Sequence, residues 1–257
     1  MKNHLRTFVF TALCLNLVSA HAQFGPAPSG PDLSGPMGKL FGTNQAFSAA
    51  LEVQTTDGSG NRITMPGRIN FDTGKSRFEL NMADVQTKQM SPASAAQMKS
   101  MGLDQMVMVA RPDKKIAYLV YPGMQSYVET DLAGVESATT NGDYKVETTE
   151  LGKETVDGHP CVKDRVVVTD KDGSKHESTV WNATDLKNFP IKIQTAEEGA
   201  GTIMRFKNVS FAKPAANLFE APSGYTKYDD LQSMMQDQIM KRMGGGPPGG
   251  PGHPPGN

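Results

Sequence analysis

The chain has 257 residues, 26 Lys and Arg against 27 Asp and Glu, and a formal net charge of -1. Acids and bases are interspersed along it, which excludes the clustered basic footprint of a nucleic-acid surface. With 37% hydrophobic residues and 2 Cys, the length suffices for one sizeable core that burial must stabilise.

The first element is a targeting signal. Lys2 and Arg6 flank the start of an apolar run over residues 7–19, and Ala20-His21-Ala22 forms a small-x-small cleavage site. This pattern predicts a cleaved secretory signal peptide over residues 1–22 and a periplasmic location. The run is short against a bilayer core of about 30 Å, so no stable transmembrane anchor is expected. Cys14 leaves with the signal and Cys161 remains alone. A lone thiol in an oxidising compartment reads first as a small buried hydrophobe, and second as a redox or metal residue.

Residues 23–44 are rich in Pro, Gly and Ser and read as a flexible leader. A domain over residues 45–228 follows, in which period-two alternation broken by turn residues predicts antiparallel strands. Phe47, Ala49, Leu51 and Val53 alternate with polar neighbours; residues 57–61 turn the chain; Ile63, Met65, Ile69 and Phe71 form a second strand; Asp72-Thr73-Gly74 turns again; and Phe78, Leu80 and Met82 mark a third. Ser91-Pro92 opens a short helix that ends near Gly102. Strands resume over residues 105–110, 116–121 and 124–130, the middle one apolar on both parities and so expected to be central and covered on both faces. Residues 132–142 read as a loop. Five more strands are expected over residues 144–151, 162–169, 176–182, 189–195 and 202–211, with Asp172-Gly173 as a hairpin turn. Parity slips from Met204 and Phe206 to Val209 and Phe211, which predicts a bulge in the last strand.

After Tyr228 the period lengthens. Asp229 and Asp230 mark a helix start, and Leu231, Met234, Met235, Ile239 and Met243 fall at helical spacing, predicting an amphipathic helix over residues 229–243. Residues 244–257 are a Gly/Pro tail, expected to be disordered. The fold class is therefore mainly β (α+β): a curved antiparallel sheet of about eleven strands forming an incomplete barrel, with a short helical lid and a C-terminal amphipathic helix.

Catalytic motifs are missing from the chain: there is no G-x-S-x-G, H-E-x-x-H, C-x-x-C or P-loop. His159-Pro160-Cys161 is the one His/Cys neighbourhood, but adjacent residues in a strand-entry turn point in different directions, so it reads as a turn followed by a buried thiol and not as a dyad. No enzyme activity, cofactor or metal is expected. All but one of the 15 methionines lie beyond the cleavage site, many of them between residues 82 and 108 and in the terminal helix. Two readings of that usage stand side by side: ordinary core filler, and a compliant lid over an apolar pocket.

Several stretches resemble an uncharacterised family of exported bacterial proteins. They are residues 111–122 (RPDKKIAYLVYP) with Gln125-Ser126-Tyr127, residues 151–161 (LGKETVDGHPC), Trp181 through Phe189-Pro190-Ile191, and residues 219–225 (FEAPSGY). That family in turn is similar to the LolA-type outer-membrane lipoprotein carriers. The resemblance implies a half-barrel with a helical lid and a lipid-accommodating cavity between them. The expected ligand site comprises Phe78, Leu80, Met82, Met98, Met101, Tyr118, Val120 and Trp181, and the expected partner is a lipid or an acylated protein. The alternative is an envelope protein-interaction module that docks a partner through Leu231, Met235, Ile239 and Met243.

Overall fold

Two up-and-down meanders share one sheet. The first comprises β1 (Ala46–Thr56), β2 (Arg62–Asp72), β3 (Lys75–Asn81), β4 (Gln105–Arg111), β5 (Ile116–Tyr121) and β6 (Ser126–Asp131). The second comprises β7 (Lys145–Val156), β8 (His159–Thr169), β9 (Lys175–Ala183), β10 (Phe189–Glu197) and β11 (Ala200–Ser210). β11 closes back antiparallel on β1, and a three-residue strand, β12 (Thr226–Tyr228), adds parallel to β6. The order is β12-β6-β5-β4-β3-β2-β1-β11-β10-β9-β8-β7, a curved, unclosed sheet of twelve strands among the described residues. The computed structural model describes residues 35–56, 60–87, 91–132, 144–170, 172–197 and 200–242. The expected signal peptide, most of the expected leader, nearly all of the expected 132–142 loop, Met243 and the Gly/Pro tail lie outside them.

Turn chemistry sets the register. Thr73 and Gly74 take φ of 51° and 84°, and Asp157 and Gly158 take 49° and 87°, the left-handed pairs that two-residue hairpins require. The first turn pairs Asp72 with Lys75; the second pairs Val156 with His159, so that β7 and β8 run longer than their alternation alone indicates. The predicted bulge is present: Ser48 faces Ser210 but Ala50 faces Lys207, and Asn208 in between has φ of 54°. The extra residue keeps Val209 and Phe211 on the apolar face that Met204 and Phe206 occupy.

Alternation gives the sheet two faces. The larger cluster, on what we call the inner face, gathers Phe47, Leu51, Ile69, Phe71, Phe78, Leu80, Met106, Leu119, Tyr121, Val128, Ile193, Met204 and Phe206. The smaller one, on the outer face, gathers Val107, Val109, Tyr118 and Val120 under Phe219. β5 is thus covered on both sides, as its apolar character predicts, although it lies third from the edge and not at the centre.

Residues 35–44 differ from the flexible leader expected there. They fold into α1 (Gly35–Lys39) and a turn that delivers Phe41, only 1% exposed, into the middle of the inner face. Its ring lies 5.0 Å from Phe47 and 5.7 Å from Phe71, Phe189 standing at a similar distance. One Phe in a Pro- and Gly-rich stretch has no periodicity to reveal it.

Candidate functional site

On the inner face the middle is filled by the chain's own rings. Phe41, Phe47, Phe71, Phe189 and Phe206 are each 2% exposed or less and meet at stacked and edge-on angles. Around this block the packing is softer: Met37, Met65, Met82, Met108 and Met235 are half-buried along its margin, with Leu103 and Val85 beside them. Methionine has three rotatable bonds and a polarisable sulfur, so such a border repacks at low cost.

One side of that margin is roofed by α3 (Leu231–Arg242). Its start is capped by Asp230, which accepts from the Ser233 backbone N–H at 2.6 Å and from the Ser233 hydroxyl at 2.8 Å. Met234 is fully buried in the inner cluster, with Leu231 and Met235 packed against it. Few polar ties hold the helix down: Gln238 donates to the Ser126 hydroxyl at 3.3 Å, and the Tyr228 hydroxyl donates to Asp237, which also pairs with Lys241 at 2.7 Å. Those two neighbours keep the Asp237 carboxyl below its ordinary range, Lys241 contributing most. The far half of the helix leaves Ile239 and Met240 about half exposed.

The helix predicted after Ser91 also forms, as α2 (Pro92–Ser100), with the Ser91 hydroxyl accepting from the Ser94 N–H at 3.1 Å. It packs beside the turn Met82–Asp84 at the end of the sheet and is exposed along most of its length; only Ala95 and Met98 are half-buried. Roofing of the inner face therefore falls to the Phe41 turn and α3.

The eight residues expected to share one pocket are divided. Phe78 and Leu80 are buried on the inner face, Met82 lies on its margin, and Met98 and Met101 are half-buried at α2. Tyr118 and Val120 belong to the outer cluster, because they face Val109 and Val107 across β4, whereas Phe78 and Leu80 face Met108 and Met106. Trp181 is 3% exposed and is a buried member of the larger cluster, yet in the sheet it stands in the row opposite that of Val180. Its cross-strand neighbours are Lys163 and Lys192, while the inner row runs through Val180, Ile193, Met204 and Val53. Of the residues expected to dock a partner, Leu231 and Met235 are engaged on the chain's own core, and Ile239 is exposed.

The outer face carries a strap. Residues 211–225, with the turn Ala216–Phe219, cross Val107, Val109, Tyr118 and Val120 and are held by Arg111. That buried guanidinium donates to the Phe219 carbonyl at 3.1 Å, to Glu220 at 2.5 Å and to Asp113 at 2.7 and 2.8 Å. Asp113 foremost, and Glu220 with it, hold its proton more tightly than usual against the opposing effect of burial. Arg77 adds a bond to the Leu218 carbonyl at 3.2 Å. No local signal marks this arrangement, since its halves are more than a hundred residues apart in sequence.

Beside the strap runs an outer groove of about 460 Å³, walled by Pro66, Arg68, Glu79, Asn81, Gln105 and Val107. Its size is that of a small-ligand site, yet its wall is half polar, and Leu80 is the one residue of the expected pocket that reaches it. His159 and Cys161 do not converge. The imidazole Nδ1 lies 2.8 Å from Asp185, while the Cys161 thiol is buried, bonded to the His159 carbonyl at 3.3 Å and pushed up in pKa by that burial. Among the described residues no three His, Cys, Asp or Glu side chains are grouped to hold a metal ion, and no helix is long and apolar enough to cross a membrane.

No curated protein matches the sequence. Among solved structures the chain is similar to an uncharacterised conserved protein from Thermus thermophilus, at 12% identity and a TM-score of 0.41 over 74% of this chain and 94% of that one. It is also similar to a LolA superfamily protein from Nitrosomonas europaea, at 7% identity and a TM-score of 0.37 over 71% and 93% of the two chains. LprF from Mycobacterium bovis matches at 12% identity and a TM-score of 0.40 over 71% and 92%. The sequence model of one family matches residues 51–189, more than half of the chain, and the protein accordingly belongs to the family described as "Domain of unknown function (DUF4412)".

Proposed function

We propose that this chain is an exported, non-enzymatic protein of the periplasm that binds a single acyl chain, from a lipid or an acylated protein, along the inner face beneath α3. The observation that carries this reading is the methionine margin. A close-packed phenylalanine block is bordered by five half-buried methionines, and α3, anchored by one buried side chain, Met234, covers the end of that face at β6 and β12. Swinging α3 aside frees a strip of apolar wall without disturbing the block. A dozen buried methylenes contribute about 10 kcal/mol at about 0.8 kcal/mol each, of which association removes a large share.

Native mass spectrometry of protein purified from its own envelope is the direct test. A ligand-sized mass increment that is lost on delipidation and regained with added lysophospholipid is expected. A bare mass with no uptake of lysophospholipid or acylated peptide overturns the reading.

The exposed Ile239 and Met240 favour a second reading, in which the C-terminal half of α3 docks an envelope protein. Ile239→Lys with Met240→Lys separates the two. The carrier keeps its acyl uptake in this variant, whereas a docking module loses its partner and keeps its fold.

A further inference from the structure

On the outer face one cross-strand row reads Glu52, Arg205, Lys192, Trp181, Lys163. Lys192 lays its ammonium 3.8 Å from the centre of the Trp181 ring, and Lys163 approaches the same ring at 5.1 Å. Glu154 accepts the indole N–H and pairs with Lys163 at 3.5 Å. Glu52 stands 4.0 Å from Lys207. Among the described residues, that leaves Lys192 and Arg205 with no carboxylate in pairing distance, although they sit directly opposite each other, where like charges destabilise a sheet. Burial foremost, and Arg205 next, push the Lys192 pKa down, so the site already disfavours its own charge. The indole ring accounts for the placement of Lys192. Arg205 faces Glu52 across β1, but that carboxylate reaches Lys207 and closes no ion pair with the guanidinium.

We propose that Lys192 and Arg205, beside Trp181, form a binding site for a phosphate-class oxyanion. An oxyanion between them turns two opposed cations into two charge-assisted contacts, the guanidinium supplying a fork and the ammonium a point charge. The site lies on the face opposite the methionine margin and stands independently of acyl binding.

Trp181 is the chain's sole tryptophan, so its emission reports a change at this site with no background from other indoles. Titration with inorganic phosphate at constant ionic strength, and separately with phosphatidylglycerol vesicles against phosphatidylcholine vesicles, should give a saturable emission change in at least one of the two anionic arms. Lys192→Gln and Arg205→Gln should each weaken it at least tenfold, while Lys192→Arg retains it. A response to free phosphate identifies a soluble ligand; a response to phosphatidylglycerol vesicles alone identifies a lipid headgroup. No saturable change in either arm, an equal response to phosphatidylcholine, or an undiminished response in both Gln variants overturns the proposal. These variants leave the inner face untouched, so acyl uptake and this signal fail separately.

Discussion

Phe41 shows how much one side chain can carry. It reaches four other rings of the inner block from outside the alternating strands, and its removal leaves a cavity that Phe47, Phe71, Phe189 and Phe206 cannot close by small shifts. Phe41→Ala is expected to cost about 3–5 kcal/mol, read as a lowered urea midpoint at unchanged slope. Gly67 is the converse case, since it has room for no side chain: a Cβ there would meet the Glu79 carbonyl at 2.5 Å and the Phe78 ring at 2.6 Å. Phe78 was legible as a core residue from its alternation. That its ring fills the place of a missing side chain on β2 was not, because the contact depends on register.

At the scale of elements, helix ends and turns were the most legible features, since each is set by a few adjacent residues. Ser91-Pro92 starts α2, Asp230 starts α3, and Asp72-Thr73-Gly74 turns β2 into β3. What an element covers was less legible. α2 has the spacing of a short helix but no apolar face of any width, and it stays in solvent; α3 has one buried methionine and becomes a roof. Met234→Ala should therefore loosen α3 before it unfolds the sheet. Its expected signature is faster amide exchange in residues 231–242 and stronger binding of an apolar dye, with a loss of about 2–5 kcal/mol in global stability as the upper range. Equal acceleration of exchange in β1 and β11 would mean that the helix and the sheet open together and would remove α3 as a separate cover. β12 escaped the sequence because three residues have no period; it exists because residue 226 is led to the free edge of β6, where the Thr226 N–H finds the Gln125 carbonyl at 2.9 Å.

For the whole molecule, the decisive contact is β1 with β11, which makes one sheet of two meanders and continues one inner cluster across both. Unfolding is expected to follow a single transition, with Trp181 emission, reporting on β9, and far-ultraviolet circular dichroism giving the same midpoint. Separate midpoints would show that the meanders hold their cores independently. The mainly β class, nearly every strand, the bulge at Asn208 and the helices α2 and α3 follow from the sequence, because alternation, turn chemistry and capping act over a few residues. Tertiary structure alone decided which alternating residues share a face. Parity says that Tyr118 and Val120 point one way and Leu119 and Tyr121 the other, but not that the first pair lies under Phe219 while Phe78 and Leu80 lie with the second. That assignment depends on registers accumulated across successive strands and on segments far apart in sequence, Phe41 on one face and the strap held by Arg111 on the other. No local pattern contains it.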